Sequence, residues 1–183
     1  MTPTQASAPR GREAVMTAVL DATVELLAEH GPRTLSVRQV AERAGVNHAL
    51  VHRHFGTKDE IIRQALQAQS AAIADELRAR SHGGELTVVH ALAVLAEHPE
   101  YWTTLARVVL DEPELAGAGT APTTELFASA VEEHGGDLGT TAAAACLMLG
   151  WRVFEDFVVE ATGTTREELD QSVSTLMRTL LRQ

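Results

Sequence analysis

Apolar residues recur every three or four positions along most of the chain, a spacing that predicts amphipathic helices rather than strands. In the N-terminal third, the pattern divides into one long run, two short runs and another long run. We predict helices over about residues 12–30, 37–44, 48–55 and 58–80. The two short helices are close enough in sequence to form a helix-turn-helix.

The same spacing continues in the rest of the chain and predicts five more helices. They cover about residues 85–97, 99–110, 123–134, 140–162 and 165–182. The segment 111–122 contains several glycines and prolines and is interpreted as a loop. Residues 140–162 are apolar around much of the helix, which predicts burial on more than one side and a buried Cys146. The fold class is therefore all-α, with about nine helices in total.

Residues that favour helix ends mark the boundaries of the N-terminal helices. Ser36 and Asn47 stand where the second and third helices begin, and both residue types are favoured N-caps. Gly45 supplies the backbone freedom for the turn between these helices. Thr57 is the predicted cap of the fourth helix. These signals predict a helix-turn-helix over residues 36–58.

Composition sets limits on the class of protein. The chain has 183 residues, 45% hydrophobic and 22% charged, which fits one or two globular domains. No apolar run reaches membrane-spanning length, and the N-terminus lacks the apolar segment of a secretory signal. The single cysteine excludes an internal disulfide. We therefore expect a cytoplasmic protein with no membrane partner.

The net charge of −10 is unevenly distributed along the chain. Residues 1–63 have a charge balance of +1, and residues 64–183 have a balance of −11. A near-neutral head binds DNA phosphates only if its few cations lie on one face. The acidic body would repel DNA and help to orient the head.

Two sequence segments carry a family resemblance. T-L-S-V-R-Q-V-A-E-R-A-G-V at residues 34–46 and H-F-G-T-K-D-E at residues 54–60 resemble the DNA-binding domain of the tetracycline-repressor (TetR) family of transcriptional regulators. The resemblance implies a homodimer that binds a pseudo-palindromic operator in double-stranded DNA. It also implies a helix-turn-helix domain at 11–57 and an effector-binding and dimerisation domain at 58–183. Residues 1–10 are polar with two prolines and are expected to form a disordered arm.

The resemblance also implies eight DNA-contacting residues. These are Arg38, Asn47, His48, Ala49, His52, His54, Thr57 and Lys58. Arg38 stands where a second-helix residue of the family often reaches into the major groove. His52 occupies the position of a tyrosine that usually touches the DNA backbone, and Leu50 stands where a small residue is common. The operator sequence therefore cannot be copied from a relative.

The chemistry of these side chains supports DNA contact but leaves alternatives open. Arg38 suits a bidentate contact with guanine, or it pairs with Glu42 four residues along the helix. Because histidine ordinarily titrates near pH 6.5, we expect tighter DNA binding as the pH falls from about 7.5 to about 6. His48 and His52 have a spacing that zinc sites use, but this helix offers no matching third ligand. We expect neither a metal nor a cofactor.

Four other arginines have less specific assignments. Arg43 and Arg53 are interpreted as ordinary solvated charges. Arg10 and Arg12 are either an arm that enters the minor groove or part of a disordered tail.

Two sets of apolar residues in the C-terminal part are assigned roles, one in an effector pocket and one in a dimer interface. An effector pocket is predicted from Tyr101, Trp102, Leu105, Phe127, Met148, Trp151 and Phe154, each of which also fits a role in the core. A dimer interface is predicted from Phe157, Val173, Leu176, Met177 and Leu180. The polar residues that could orient an effector are Arg152, Glu155, Asp156 and His98, although Arg152 and Asp156 also have ion-pair spacing.

The sequence favours a dimeric transcriptional regulator, most simply a repressor that a small apolar or aromatic ligand releases from its operator. The helix at residues 58–80 is the predicted lever between ligand and DNA-binding head. The alternatives are a ligand-responsive activator and a helical adaptor that does not bind DNA. An enzyme is not expected, because the sequence lacks a nucleophile elbow, a phosphate-binding loop, a dinucleotide fingerprint and a zinc-protease motif.

Overall fold

A computed structural model describes residues 11–80, 94, 97–133 and 137–180, and it confirms the all-α fold class over these ranges. The helices there are α1 (Arg12–His30), α2 (Val37–Ala44), α3 (His48–Phe55), α4 (Lys58–Arg80), α5 (Pro99–Asp111), α6 (Pro113–Gly119), α7 (Ala121–Glu133), α8 (Leu138–Thr162) and α9 (Arg166–Leu180). The helix predicted at residues 85–97 falls almost entirely outside the described residues. Among the described helices, none has the length and apolar character needed to cross a membrane.

The chain divides into two compact units, and the division passes through two continuous helices. The first unit takes its described residues from Met1–Ala68 and Arg107–Thr120. The second takes them from Gln69–Ala106 and Ala121–Gln183. Helices α4 and α5 therefore contribute residues to both units. The end of α5 and all of α6 belong with the helix-turn-helix, although the sequence assigned them to the C-terminal domain.

The first unit is built around apolar residues from α1 to α4. The fully buried members include Val19, Leu27, Val40, Val51, Ile61, Ile62 and Leu66. Burying each such side chain stabilises the fold by about 1.5–3 kcal/mol. The small residue Ala41 is also buried, where α2 comes close to its neighbours. This core fixes which faces of α2 and α3 remain outside.

Two local hydrogen-bond motifs set the two ends of α2, and the second of them forms the sharp turn into α3. Ser36 caps α2: its Oγ accepts from the Gln39 amide at 3.3 Å, and Gln39 Oε1 accepts from the Ser36 amide at 2.9 Å. At the other end, Gly45 adopts a left-handed conformation with φ 67°. The Val46 amide then donates to the Ala41 carbonyl at 3.0 Å, which completes a Schellman motif. Predicted roles for Ser36 and Gly45 are thus confirmed.

The loop predicted at residues 111–122 is wrong, because α6 occupies most of this segment. Pro113 lies in the first turn of α6, where a missing amide hydrogen costs nothing. Leu115 and Ala116 are buried, so the helix is stabilised by packing rather than by propensity. At its end, a Cβ on Gly119 would lie only 2.5 Å from Leu66 Cβ, so α6 approaches α4 more closely than a side chain permits.

The second unit has a mixed apolar and polar interior. Its buried residues include Ile73, Ala74, Leu77, Tyr101, Trp102, Leu105 and Thr104. The Tyr101 and Trp102 rings meet edge to face with centroids 5.2 Å apart, a favourable aromatic geometry. Ser70 Oγ lies 3.0 Å from Thr123 Oγ1, which joins α4 to α7 by a buried hydrogen bond.

Helices α8 and α9 are joined by polar contacts near their connection. The Trp151 indole donates to Asp170 Oδ1 at 3.1 Å. Arg166 donates to Glu155 at 3.2 Å and also pairs with Asp156. The predicted alternative pair of Asp156 with Arg152 is not described, because the Arg152 side chain lies outside the described part of the structure.

The outer face of α8 is exposed, so this helix is less buried in the single chain than the sequence predicted. Ala142, Cys146, Val153 and Phe157 follow one another at helical spacing and are all exposed in the single chain. The prediction of a buried Cys146 is therefore wrong for the single chain. The apolar circumference of α8 leaves a row of side chains without cover from the described residues.

Candidate DNA-binding site

The candidate DNA-contacting surface consists of residues on α2, α3 and the start of α4 that lie outside the core. Arg38, Asn47, His48, Ala49, His52, His54 and Thr57 are exposed, and Lys58 is half-buried. The buried side of α3 is formed by Val51 and Phe55. On the eight-residue α3, Ala49 and Arg53 lie opposite this buried face, whereas His48 and His52 flank it and are still exposed.

Asn47 begins the recognition helix α3. Its Oδ1 atom accepts a hydrogen bond from the Ala49 amide at 2.8 Å, which confirms the predicted N-cap role. This bond holds the first turn of α3 in a defined geometry. His48 and Ala49, which lie in that turn, are exposed and therefore accessible to base edges.

In the structure, Arg38 forms the ion pair with Glu42 that their spacing in the sequence allowed. Its Nε atom lies 2.9 Å from Glu42 Oε1, and the Arg38 side chain is 82% exposed. An exposed pair of this kind contributes about 0.3–0.5 kcal/mol. A bidentate guanine contact contributes about 1–3 kcal/mol. A guanine contact would therefore outweigh the pair with Glu42, so the ion pair leaves the predicted role of Arg38 open.

Lys58 is directed toward the protein. Its Nζ atom donates to the Pro32 carbonyl oxygen at 3.1 Å, which ties the start of α4 to the turn after α1. Next to it, Thr57 Oγ1 accepts from the Glu60 amide at 3.3 Å and caps α4 as predicted. The positive charge of Lys58 and the N-terminal end of α4 thus occupy one small region, which favours an anion.

Arg43 is not the ordinary solvated charge that the sequence predicted. Its guanidinium contacts Glu29 at 2.8 Å and Glu25 at 3.0 Å, so it joins α2 to α1. Hydrogen bonding to Glu29, and then to Glu25, raises the pKa of Arg43, and Arg43 in turn lowers the pKa of Glu29. We name these three side chains the Arg43 clamp. Sequence separation of 14 and 18 residues hid the pairing from local patterns.

Arg53 is the candidate that the sequence-based assignment missed. It lies on α3, is exposed, and makes no ion pair with any residue that the structure describes. The sequence held the signal, because Ala49, Leu50, Gly56 and Thr57, at helical spacing from Arg53, are all uncharged. A cation without a local partner on the recognition helix suits a phosphate contact.

The end of α5 supports the turn that follows α1. The Arg107 guanidinium donates to the Ala28 carbonyl oxygen near the C-terminus of α1. Arg33 Nε lies 3.4 Å from Asp111 Oδ1. Together with Lys58, these contacts hold the turn from both sides and use cations that would otherwise face solvent.

The residues assigned to an effector pocket occupy different environments. Tyr101, Trp102 and Leu105 are buried, Trp151 is half-buried, and Phe154 is exposed in the single chain. The side chains of Phe127 and Met148 lie outside the described part of the structure. His98 Nε2 lies 2.8 Å from Glu76, and Glu155 and Asp156 contact Arg166, so these polar candidates have partners within the protein. Within this set, the Tyr101 and Trp102 rings are in direct contact.

Three of the five residues assigned to a dimer interface have described side chains, and these lie at or near the surface. Phe157 is 68% exposed and Leu176 is 50% exposed, while Val173 is half-buried. The Met177 and Leu180 side chains lie outside the described residues. Over the ranges that the structure covers, no cluster of three or more potential metal-binding side chains occurs.

Comparisons with known proteins agree with this architecture. The family model described as bacterial regulatory proteins, tetR family, matches residues 19–65. The HTH-type transcriptional repressor Rv3405c of Mycobacterium tuberculosis is 35% identical over 186 residues, covering 94% of this chain and 92% of that protein.

Solved structures extend the similarity to the fold of the whole chain. A TetR-like transcriptional regulator from Rhodococcus sp. RHA1 has a TM-score of 0.63 at 16% identity, covering 94% of this chain and 96% of that one. The multidrug binding protein EbrR in complex with imidazole has a TM-score of 0.63 at 20% identity, covering 100% of this chain and 98% of EbrR. EbrR in complex with proflavin gives 0.55 at 22% identity, with 91% and 99% covered.

Proposed function

Because this chain belongs to the TetR family of bacterial transcriptional regulators, we propose that it is a homodimeric repressor that leaves its operator when a small molecule binds. The family consists of DNA-binding regulators of transcription, and the protein is not an enzyme. Repression, rather than activation, is favoured by the 35% identity to a repressor over nearly the whole chain. Operator binding implies a location in the cytoplasm, beside the chromosome.

The observation that carries the proposal is the exposed surface of the helix-turn-helix. The capped turn between α2 and α3 fixes the recognition helix, on which His48, Ala49 and His52 are exposed. In helix-turn-helix proteins, the N-terminal residues of the second helix contact base edges in the major groove. Arg38 adds a side chain that can read guanine, and Arg53 and Lys58 add phosphate contacts.

Dimerisation is inferred because a single head carries almost no net positive charge. Each head has few free cations, so a single head makes few phosphate contacts and binds weakly. A dimer doubles these contacts and positions two recognition helices about 34–36 Å apart, one turn of DNA. The exposed apolar row on α8, with Phe157, and the exposed Leu176 on α9 supply a surface for this pairing.

The effector is inferred to be a small, largely apolar or aromatic molecule. The buried ring pair Tyr101 and Trp102 supports this inference, because aromatic walls suit flat ligands. EbrR, which has the same fold, was solved with the flat molecules imidazole and proflavin. The ligand would act by favouring a state whose head spacing does not match two half-sites. To move the protein from almost entirely the DNA-binding state to almost entirely the released state, the ligand must bind the released state more tightly by about 5.5 kcal/mol.

A gel-shift titration with the DNA upstream of the protein's own gene tests the proposal. We expect retardation of that fragment at nanomolar protein, and none of a scrambled fragment at the same concentration and salt. A single band with the mass of two chains on one DNA supports the dimer. Equal retardation of both fragments would contradict operator recognition.

A reporter assay separates repression from activation. With the same upstream fragment driving a reporter, co-expression of the protein should lower reporter output. The double variant Arg38→Ala, His48→Ala should restore the output. An increase in output with the wild-type protein would favour the activator alternative, and no effect together with no retardation would favour the adaptor.

A further inference from the structure

Three buried hydroxyl groups are connected inside the second unit. Ser70 Oγ lies 3.0 Å from Thr123 Oγ1, and the Thr123 amide donates to Ser70 Oγ at 3.0 Å. Tyr101 Oη lies 3.5 Å from Thr123 Oγ1. All three residues are buried. Polar side chains therefore meet in the interior of this unit, where an apolar core would have been the simpler arrangement.

Two further polar atoms in the same unit have no hydrogen-bond partner among the residues that the structure describes. They are Thr104 Oγ1 and Gln69 Oε1. Thr104 is fully buried and follows Tyr101 by one helical turn, so both lie on the same side of α5. Gln69 precedes Ser70 on α4. Such atoms are rare in native proteins, because a buried polar group without a partner is costly.

The conformation of Thr104 differs from that of other helical threonines in this protein. Thr23, equally buried, donates from Oγ1 to the Val19 carbonyl at 2.7 Å, four residues earlier. Thr103, the neighbour of Thr104, donates in the same way to the Pro99 carbonyl at 3.0 Å. Thr104 does not bond to its own helix, so its hydroxyl remains available to a group from elsewhere.

The buried cluster carries no formal charge. Its members are hydroxyl and amide side chains, and burial raises the pKa of Tyr101, which keeps its phenol neutral. A charged ligand group placed here would lack a counter-ion and would be strongly disfavoured. Gln69 Oε1 requires a donor, while the Thr104 hydroxyl can donate to an acceptor. A hydroxyl group can both donate and accept, so it matches the chemistry of both atoms.

We propose that Thr104 and Gln69 form the hydrogen-bonding end of the effector site, and that the effector is a neutral molecule with a hydroxyl group on an apolar body. The proposal rests on the proposed function, since it assigns a ligand class to a ligand-released regulator. Tyr101 and Leu105, buried on neighbouring faces of the same helix, provide apolar contacts for the body.

Binding of matched probes to the purified full-length protein tests the ligand class. The neutral hydroxyl probes are phenol and 2-naphthol. Each is compared with a methyl counterpart, toluene or 2-methylnaphthalene, and with a carboxylate counterpart, benzoate or 2-naphthoate. Calorimetry and thermal shift should show that at least one hydroxyl probe binds about tenfold more tightly than both counterparts, the value of one well-made hydrogen bond. Equal or weaker binding of both hydroxyl probes overturns the proposal.

The variant Thr104→Val tests the residue, because it preserves shape and removes the hydroxyl. We expect it to raise the melting temperature of the free protein and to weaken hydroxyl-probe binding about tenfold, while Thr104→Ser retains binding. The matched control, Thr23→Val, should lower the melting temperature and leave probe binding unchanged. If Thr104→Val instead destabilises the free protein as Thr23→Val does and leaves probe binding intact, the hydroxyl is satisfied within the fold and the proposal fails.

Operator binding, measured separately by gel shift, distinguishes the two levels of inference. Loss of specific DNA binding with preserved probe discrimination would contradict the proposed function alone. Specific DNA binding with no effect of Thr104→Val on any probe would contradict the proposed ligand site and leave the proposed function standing.

Discussion

Lys58 Nζ donates to the Pro32 carbonyl oxygen at 3.1 Å, so one side chain joins the first residue of α4 to the turn that ends α1. A lysine in this position has two ways to act on DNA. Its charge lies next to the N-terminal end of α4, where a phosphate is favoured. Its hydrogen bond also fixes the turn on which the position of α4 depends.

Replacing Lys58 should weaken DNA binding without changing sequence preference. For Lys58→Met, we expect equal loss of affinity for operator and scrambled DNA, and a salt-dependence slope smaller by about one. Unfolding free energy should fall by about 1 kcal/mol through loss of the bond to Pro32. Binding at several salt concentrations and urea unfolding measure the two effects. With Lys58→Arg, the slope should be retained, and an unchanged slope in Lys58→Met would exclude a phosphate contact.

Arg38→Ala should relax the sequence preference of the protein. We expect operator affinity to fall by about 1–3 kcal/mol, while affinity for scrambled DNA changes little. Glu42→Gln is the matched control, since it removes the 2.9 Å ion pair and leaves Arg38 in place. Binding by Glu42→Gln should be equal to or tighter than that of the wild-type protein. Parallel loss of affinity in both variants would mean that the pair, and not Arg38 itself, supports binding.

The histidines on α3 should make DNA binding sensitive to pH. His48, His52 and His54 are exposed, and protonation of an imidazole adds a positive charge and a second N–H donor. At constant salt, we expect affinity to rise as the pH falls from about 7.5 to about 6. Replacing all three by glutamine should flatten this dependence. Fluorescence anisotropy of a labelled operator measures both profiles, and identical slopes would exclude the imidazoles as the cause.

The Arg43 clamp should stabilise the fold at neutral pH and lose this effect at acid pH. Arg43 holds the pKa of Glu29 below its ordinary value of 4.5. A depressed carboxylate pKa stabilises the fold above the unfolded-state value, and this contribution is lost as the pH falls through the folded-state value. The melting temperature should therefore fall more steeply below about pH 4.5 in the wild-type protein than in Glu29→Gln. Glu13→Gln, on the same helix without an ion pair to any described residue, should keep the wild-type slope.

Phe157→Asp should separate the dimer. Its ring is 68% exposed in the single chain, and a two-fold interface would contain it twice. Burying one such side chain contributes about 1.5–3 kcal/mol, so the dimer dissociation constant should rise at least about a hundredfold. Light scattering after size exclusion measures the mass, and the gel shift should weaken in parallel. Phe157→Leu should remain dimeric, whereas a dimeric Phe157→Asp would place the interface elsewhere.

Local signals in the sequence were sufficient to predict the helix-turn-helix. Ser36, Asn47 and Thr57 cap the helices that they were expected to cap, and Gly45 adopts the positive φ that its position required. Each of these contacts spans two or three residues, so the sequence alone determines it. The TetR resemblance rested on the same segment, and the comparisons confirm it.

Contacts between distant residues were not predictable in this way. The acceptor of Lys58 lies 26 residues away, and the partners of Arg43 lie 14 and 18 residues away. Helix α6 was missed because seven residues with two glycines have low helix propensity, and packing of the buried Leu115 and Ala116 stabilises them. The exposure of Cys146 was missed because an apolar pattern does not tell whether the same chain or a second copy covers a surface.

The close approach of α6 to α4 restricts which sequences can share this fold. No side chain fits at residue 119 while Leu66 keeps its place, so the helix spacing depends on the absence of an atom. In a saturation library selected for folded protein, position 119 should return glycine alone. When both positions vary together, a residue larger than glycine at 119 should appear only with glycine at 66, because every other residue there keeps the Cβ that lies 2.5 Å away.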